Sequence, residues 1–206
     1  MTTILITGFG PFPGAPVNPT TALATRLARA WRLRGVRCVA HVFATSYAAV
    51  DRELPALIAA HRPDVILMFG LAARRRQVSI EMFAHNRISA TARDVSGAAP
   101  QRAAITSGGA PRLATRAPLP RLLAAARASG TATTPSRDAG DYLCNYLYWR
   151  ALEAAARPGG PRVAVFVHVP LFAANARRRR PVKRRDFAVH QLFRAGNAIL
   201  SALSRR

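Results

Sequence analysis

The sequence has few acidic residues: 9 aspartates and glutamates stand against 31 lysines and arginines in 206 residues, a formal charge of +22. Such an excess could attract nucleic acid, an anionic membrane or acidic proteins. The arginines are scattered over predicted helix surfaces, however, and the densest run, RRRRPVKRR from Arg177 to Arg185, has no interleaved aromatic residues for base stacking. We therefore expect a solvated basic loop over 177–185, and nucleic-acid binding only through non-specific charge.

The sequence also has only two cysteines, Cys38 and Cys144. Their spacing fits neither a disulfide framework nor a metal site, so both should be free thiols in a reducing compartment. The opening MTTILITGFGPFPG has no basic leader, and its apolar run is only five residues long, which argues against a signal peptide or a membrane span. We expect a cytoplasmic protein.

What the sequence does have is apolar residues, which make up half of the chain. That is enough for one compact domain over residues 1–206, and the chain is short for two. Strand and helix patterns alternate along it, with an irregular, glycine-rich stretch over 97–109. The predicted strands are Thr3–Thr7, Val36–Thr45, Asp64–Gly70, Gln77–His85 and Arg162–Val169. The predicted helices begin at Pro19 with Asn18 as cap, cover Tyr47–Ala60 and Leu119–Arg127, surround Cys144, and close the chain over Asp186–Leu203. We expect a three-layer α/β/α sandwich around a mainly parallel, mixed sheet.

Three residues stand where such a sheet gathers functional groups, at the carboxyl ends of strands and at the helix starts. His168 ends a β-branched strand, and Cys144 lies in the first turn of a predicted helix. A helix amino terminus and an imidazolium both stabilise a thiolate, so the pair fits a nucleophile and its general base. Glu81, one of only three glutamates, lies in an apolar strand pattern and is the candidate to orient the imidazole.

Each of these residues also has a purely structural explanation. A lone cysteine in a first helical turn is more often a small buried apolar residue, and a strand-end histidine is more often a hydrogen-bonded structural one. Glu81 could simply pair with one of the arginines from Arg74 to Arg76. Taken singly, the residues leave both explanations open.

Five short segments change that balance, because they occur in one order from the first strand to His168. The segments are ITGFGPFPG with the NPT that follows, Gly70-Leu71-Ala72, SIEMFAHN, DAGDYLCN and FVHVP. Together they resemble the motifs of pyroglutamyl peptidase I, or pyrrolidone-carboxylate peptidase, a family of cysteine peptidases. The resemblance covers nearly the whole chain and is poorest over 87–118 and after Leu171.

The resemblance implies that Cys144 is the nucleophile, that His168 acts as base and then as acid, and that Glu81 orients the imidazole. It also implies hydrolysis of the amide bond after an amino-terminal pyroglutamyl residue through an acyl-enzyme, with no metal or cofactor. Pyroglutamate is a flat, uncharged lactam, so aromatic faces and backbone hydrogen bonds should hold it. The family positions for this pocket are matched here by Phe9, Phe12, Asn18, Leu71, Tyr142 and Leu143. For the phenylalanines the alternative is a place in the core, and for Asn18 a role as helix cap.

Some departures from the family pattern bear on how well the site would work. Asp138 and Asp141 replace small or hydroxyl residues beside the nucleophile; they suit a helix start as caps, but their charge should oppose thiolate formation. Leu71 stands where the family commonly has glutamine. A contact made by the backbone at this position would not be lost by the change of side chain. The family's oxyanion arginine is matched only by Arg93 in a shifted register, with Arg87 as the alternative. The backbone N–H of Cys144 could supply part of an oxyanion hole.

These departures leave other functions open. One is a divergent cysteine amidohydrolase, or a weakly active paralogue, of the same fold. Another, of a different class, is a basic module that binds nucleic acid or acidic proteins. The expected partner is a pyroglutamyl peptide or a small amide, not a membrane. The family often forms tetramers, so a homo-oligomer is expected, although the like charges of this chain would repel its own copies.

Overall fold

The computed structural model describes residues 1–171 and 181–205, the latter with side chains from residue 189 onward. Helices and strands alternate along most of this length, as the sequence predicts. The helices are α1 (Pro19–Ala30), α2 (Tyr47–His61), α3 (Leu119–Ala128), α4 (Leu143–Ala156) and α5 (Pro181–Ser204), and the strands are β1 (Thr2–Phe9), β2 (Val36–Phe43), β3 (Val65–Leu71), β4 (Val78–Glu81), β5 (Phe83–His85), β6 (Arg112–Ala114), β7 (Thr133–Ser136) and β8 (Val163–Val169).

Six strands form the main sheet, in the order β2-β1-β3-β8-β4-β7. β2, β1, β3 and β8 run parallel to one another, whereas β4 pairs antiparallel with β8 and carries β7 parallel to itself. β5 and β6 form a separate antiparallel pair. The predicted sheet, mainly parallel and mixed, is confirmed.

Helices cover both faces of this sheet and complete three layers. Leu27 of α1, Leu122 of α3 and Leu200 of α5 share one hydrophobic cluster with strand residues, while Leu54 of α2 and Leu147 of α4 belong to the cluster on the other face. All of β8 and all of β3 except its last residue are buried, as expected for central strands whose apolar runs are continuous. The catalytic candidates lie at the carboxyl ends of these two strands and on their neighbours.

The predicted strand Gln77–His85 is in fact two strands in different sheets. Met82 breaks it: its N–H donates to the Ser136 carbonyl at 2.7 Å, and its carbonyl accepts from the Thr115 N–H at 3.1 Å. The backbone thus passes from the β7 side to the β6 side at this residue. The short strands β6 and β7 were not predicted, because three or four residues are too few to show a periodic pattern.

The closing helix also begins earlier than predicted. α5 starts at Pro181 rather than Asp186, because proline is favoured at a first helical position and lysine and arginine are good helix formers. Residues 181–185 are therefore helical, and the prediction of a basic loop over Arg177 to Arg185 is wrong for this half. Residues 177–180 lie outside the described part of the chain.

Candidate active site

The alternation of side chains along the strands brings the catalytic candidates to one face of the sheet. In β8, Val167 packs in the cluster under α1, α3 and α5, whereas Phe166 packs in the cluster under α2 and α4. His168, two residues after Phe166, therefore points toward α4. In β4, Ile80 belongs to the first cluster, so the next residue, Glu81, points to the α4 face as well.

His168 and Glu81 form a buried hydrogen-bonded pair. The imidazole Nδ1 lies 2.7 Å from Glu81 Oε1, and the exposed fractions are 4% for His168 and 0% for Glu81. Because a carboxylate can only accept, Nδ1 carries the proton and donates it, which leaves Nε2 of the neutral ring as a base. Tyr148, one helical turn after Cys144, donates its hydroxyl to the Glu81 carbonyl at 2.8 Å and fixes the strand below α4.

Cys144 is the second residue of α4, and its sulfur lies against Gly70 of β3. A methyl group on Gly70 would come 2.7 Å from the Cys144 Sγ and 2.6 Å from the Phe166 Cζ, so only glycine leaves room for the sulfur here. Gly70 is the register partner of His168 across the parallel pair of β3 and β8, and partners in register share a face. The thiol is thus seated at the strand position beside the imidazole.

The first turn of α4 begins without a side-chain cap. Tyr142 is the N-cap residue, and its side chain makes no capping hydrogen bond. The prediction that Asp138 and Asp141 cap this helix is wrong: Asp138 Oδ1 instead accepts from the Gly140 N–H at 2.8 Å and from Arg87 at 2.6 Å, within the preceding loop. The backbone N–H groups of the first turn, that of Cys144 included, are therefore left to bind a developing negative charge.

The pKa shifts of Cys144 and His168 both favour the uncharged forms, a thiol and a neutral imidazole. The pKa of the Cys144 thiol is raised to about 12, mainly by burial and also by the charge of Glu81, against a lowering effect of the Arg75 guanidinium. Burial also lowers the pKa of His168, against the raising effect of Glu81 and with a further lowering by Arg75. The expectation of a thiolate stabilised at rest by the helix start is therefore not met, and the negative charge that opposes the thiolate is that of Glu81.

Sequence reasoning did not single out Arg75, which contacts the catalytic carboxylate. Arg75 Nη1 donates to Glu81 Oε1 at 2.6 Å, and Nη2 donates to the backbone carbonyl of Asp138 at 2.6 Å. Glu81 thus has both of the partners that the sequence offered as alternatives, an arginine from the run at 74–76 and His168. In that run, with arginines on either side, nothing local distinguishes the middle one.

Asn145 was quoted only as part of the cysteine motif, yet it positions a neighbouring segment. Its side chain is fully buried, donates to the carbonyls of His85 at 2.8 Å and Arg87 at 3.0 Å, and accepts from the His85 N–H at 2.8 Å. It therefore fastens the end of β5 to the nucleophile helix. A buried asparagine inside an apolar helix pattern is the sequence signal that could have identified it.

The predicted pocket residues divide into buried and half-buried ones. Phe9 is 3% exposed and packs on Phe43 with ring centroids 6.2 Å apart, and Leu143 is 1% exposed in the same cluster. The prediction that these two line the pocket is corrected: both belong to the core behind it. Phe12, half-buried, lies beyond β1 in a bridge with Ala15.

Tyr142 is also half-buried, at the start of α4. Its hydroxyl donates to the Arg93 carbonyl at 2.9 Å, and its ring meets Tyr47 edge-on at 6.0 Å. Of the six predicted pocket residues, Phe12 and Tyr142 are therefore the aromatic ones with surface left to offer a ligand.

Asn18 and Leu71 do not offer their side chains to a ligand. Asn18 is buried, accepts from the Thr20 N–H at 3.1 Å and donates to the Gly10 carbonyl at 3.0 Å, so the helix-cap explanation is confirmed and both ends of its amide are used. Leu71 follows Gly70 in β3 and so points to the opposite face from Cys144. Only its backbone lies near the site.

Both arginines proposed for the oxyanion are exposed and bind partners in loops near the site. Arg93 is exposed, and its Nη1 donates to the Gly97 carbonyl at 2.9 Å within its own loop. Arg87 is exposed too and forms an ion pair with Asp138 at 2.6 Å. The Arg93 guanidinium thus contacts its own loop, and its role at the oxyanion stays a prediction.

The described residues also bear on metal binding and on membrane insertion. No group of three or more His, Cys, Asp or Glu side chains in them is arranged to hold a metal ion. None of their helices combines the length and the apolar character needed to cross a membrane.

Comparison with known proteins gives one consistent result. The family model for pyroglutamyl peptidase matches residues 2–198. Pyrrolidone-carboxylate peptidase 1 of Ralstonia nicotianae is 32% identical over 176 residues, which cover 85% of this chain and 81% of that protein. The pyrrolidone-carboxylate peptidase of Pyrococcus furiosus is 29% identical over 81% of this chain and 80% of its own length. The solved structure of pyrrolidone carboxyl peptidase from Thermococcus litoralis is similar with a TM-score of 0.82 at 26% identity, covering 98% of this chain and 95% of that one.

Proposed function

The chain belongs to the pyroglutamyl peptidase family, and we propose that Cys144, His168 and Glu81 carry out its reaction, hydrolysis of the amide bond after an amino-terminal pyroglutamyl residue. It is a cysteine peptidase of that family. The observation that carries the assignment of residues is the 2.7 Å hydrogen bond from His168 Nδ1 to Glu81 Oε1, beside the strand position where the Cys144 sulfur lies against Gly70.

The reaction begins from a neutral thiol and a neutral imidazole. As the Cys144 sulfur attacks the carbonyl carbon, His168 Nε2 takes its proton, and the Glu81 carboxylate stabilises the imidazolium that results. The imidazolium then protonates the departing amine, and the C–N bond breaks to leave a pyroglutamyl thioester. Water, deprotonated by the same imidazole, attacks this acyl-enzyme; pyroglutamate leaves and the thiol regains its proton.

The uncapped start of α4 supplies the donors for the oxyanion. When the carbonyl carbon becomes tetrahedral, its oxygen takes a negative charge next to the first-turn N–H groups, which include that of Cys144. The partial positive charge of the helix amino terminus acts in the same direction.

The charges of the site fit a substrate with a blocked amino terminus. A peptide with a free amine would bring an ammonium group, which a carboxylate has to meet. The Glu81 carboxylate is fully buried, and its Oε1 accepts from His168 and Arg75, so no part of it is exposed to meet an ammonium group. An uncharged lactam, held between the half-buried rings of Phe12 and Tyr142 and backed by Phe9, demands no such partner.

The setting of the reaction is part of the same proposal. We place it in the cytoplasm, which the free state of both Cys38 and Cys144 supports. A homo-oligomer is proposed by analogy with the family alone. Binding of nucleic acid has only the net charge in its favour and is the weaker alternative.

The test compares two cysteine variants on a pyroglutamyl-anilide. We expect wild type and Cys38→Ala to release the anilide and to lose activity on alkylation, and Cys144→Ala to be inactive. Cys38 is the matched control, because it is the other thiol and lies on β2, where burial raises its pKa to about 11. Hydrolysis that survives alkylation of Cys144 would remove it as the nucleophile. Cys144-dependent cleavage of other small amides, without release of the pyroglutamyl group, would instead favour the divergent amidohydrolase.

A further inference from the structure

Arg75 joins the catalytic carboxylate to the loop that leads into the nucleophile helix. One nitrogen of its guanidinium donates to Glu81 Oε1 and the other to the Asp138 carbonyl, both at 2.6 Å. Oε1 is also the oxygen that accepts from His168. From this geometry, and on the premise of the proposed function, we infer that Arg75 is a positioning residue of the reaction, which sets the Glu81–His168 pair and Cys144 relative to each other.

The forked shape of the guanidinium is what makes this connection rigid. Its two terminal nitrogens are fixed in one plane, so acceptors from two chain segments are held at a fixed separation. Asp138 precedes Cys144 by six residues, and the loop between them contains two glycine or alanine positions, Ala139 and Gly140, with little side chain to hold it. The contact at the Asp138 carbonyl therefore fixes where α4 begins relative to the sheet.

Other side chains hold the outer side of the same loop. His85 Nε2 contacts the Arg137 carbonyl at 2.7 Å, and Arg87 pairs with the Asp138 carboxylate. Arg75 differs from Arg87 in burial: its side chain is 29% exposed and its partner carboxylate 0%, against 48% and 59% for the outer pair. Arg75 is the inner contact, the one that reaches the reacting groups.

The positive charge of Arg75 matters because the imidazole of His168 is uncharged before the reaction. A buried carboxylate needs a cation, and with His168 neutral Arg75 supplies it. The charged groups that face His168 come from three segments: Glu81 from β4 and Asp138 from the α4 loop raise its pKa, and Arg75 from the β3–β4 connection lowers it. Arg75 also lowers the pKa of Cys144, against Glu81. Without Arg75, the carboxylate would hold the imidazole protonated to higher pH and would repel the thiolate.

The experiment uses Arg75→Gln and Arg75→Lys in the whole chain, with Arg76→Gln as the control. Arg76 is the neighbouring exposed arginine, so its variant makes the same change in net charge away from the site. For Arg75→Gln we expect kcat to fall roughly tenfold or more with KM nearly unchanged, and the acid limb of kcat/KM to move to higher pH. Arg75→Lys should keep the wild-type acid limb, because the positive charge remains. Its kcat should still fall several-fold, because an ammonium group cannot hold both acceptors in the fixed geometry of the guanidinium. Arg76→Gln should match wild type in kcat, in KM and in the acid limb of kcat/KM.

A second readout does not depend on turnover. Alkylation of Cys144 by iodoacetamide at pH 8 should be slower in Arg75→Gln than in Arg76→Gln, because the thiol loses the cation that favours its thiolate. If wild type does not cleave the anilide, the proposed function fails, and this rate alone decides on Arg75. Equal alkylation rates, or an unchanged kcat and pH profile with only thermal stability reduced, would make Arg75 a structural ion pair and overturn the inference. If Arg75→Gln does not fold, a wild-type kcat in Arg75→Lys would likewise overturn the inference.

Discussion

At the scale of the residue, the proposed chemistry depends on a fully buried carboxylate that is paired with a guanidinium and an imidazole. Glu81 is fully buried, and its Oε1 receives donors from both Arg75 and His168. This arrangement holds the imidazole in one tautomer while burial keeps it neutral. Because the pKa of the Cys144 thiol is raised, proton transfer to His168 belongs to the proposed reaction and not to the resting enzyme.

The pH dependence of the reaction follows from the lowered pKa of His168. A protonated imidazole cannot take the thiol proton, so activity is lost as pH falls through the pKa of this group. Because that pKa is lowered by burial, we expect the acid limb of kcat/KM to lie below the ordinary histidine value of about 6.5. Rates measured on a pyroglutamyl-anilide between about pH 4.5 and 8 check this, with circular dichroism to show that the protein stays folded. A limb at or above 6.5 would mean that the charge of Glu81 outweighs burial.

At the scale of the element, the spacing between α4 and the sheet is set by a missing side chain. Gly70 is the last residue but one of β3, at a buried strand position where a larger apolar residue would bury more surface. The space it leaves is filled by the sulfur of Cys144 and the ring of Phe166. The same kind of local requirement acts at the first helix, where Asn18 both caps α1 and holds the Gly10 carbonyl of the loop that carries Phe12.

Replacing Gly70 with alanine should abolish activity. The added methyl, 2.7 Å from the sulfur, has to displace Cys144 from its place beside His168, and we expect a loss of about 1–3 kcal/mol in the free energy of unfolding as well. Anilide hydrolysis and urea unfolding measure the two effects. Gly196→Ala on α5 is the matched control, since its methyl would meet the end of the Leu27 side chain at 2.8 Å, far from the site. Full activity in Gly70→Ala would show that the sulfur can work from another position.

Two substitutions separate the roles of Asn18. Asn18→Ala removes both the cap and the loop contact, so unfolding should become easier by about 1–2 kcal/mol and KM should rise. Asn18→Asp keeps the cap acceptor but loses the donor to the Gly10 carbonyl, so it should recover most of the stability and still show a raised KM. Steady-state kinetics and thermal unfolding of both variants provide the check. A normal KM in Asn18→Asp would show that the loop is held in place without this contact.

At the scale of the whole molecule, several of the few acidic residues form ion pairs. Glu81 pairs with Arg75, Glu153 with Arg150, and Asp138 with Arg87. These pairs leave a large positive excess on the surface, which favours solubility and long-range attraction of anions but specifies no partner. The charge is therefore a property of the surface, separate from the chemistry at α4.

Binding to an oligonucleotide should therefore be weak and governed by salt. We expect a fluorescent single-stranded DNA to bind at low ionic strength, to be released by about 0.2 M salt with a steep dependence, and to bind Cys144→Ala as well as wild type. Fluorescence anisotropy across a salt series measures this. Tight binding that persists at physiological salt, or competition by a pyroglutamyl peptide, would support a dedicated nucleic-acid site instead.

The sequence by itself predicted the order of the longer helices and strands and the residues that we propose for the reaction. Continuous apolar runs predict central strands, and their period of two places His168, Glu81 and the Gly70 position on one face. A helix that starts close to Cys144 then brings the thiol to that face. These features are local, so a short stretch of chain contains the information that specifies them.

Only the tertiary structure decided which of several equivalent residues does the work. It selected Arg75 from three adjacent arginines, placed Phe9 and Leu143 in the core and left Phe12 and Tyr142 at the surface, and began α5 at Pro181. Whether a guanidinium reaches a buried carboxylate depends on the path of the chain between β3 and β4 and on the helix packed above it. Those contacts join residues far apart in sequence, and no local pattern records them.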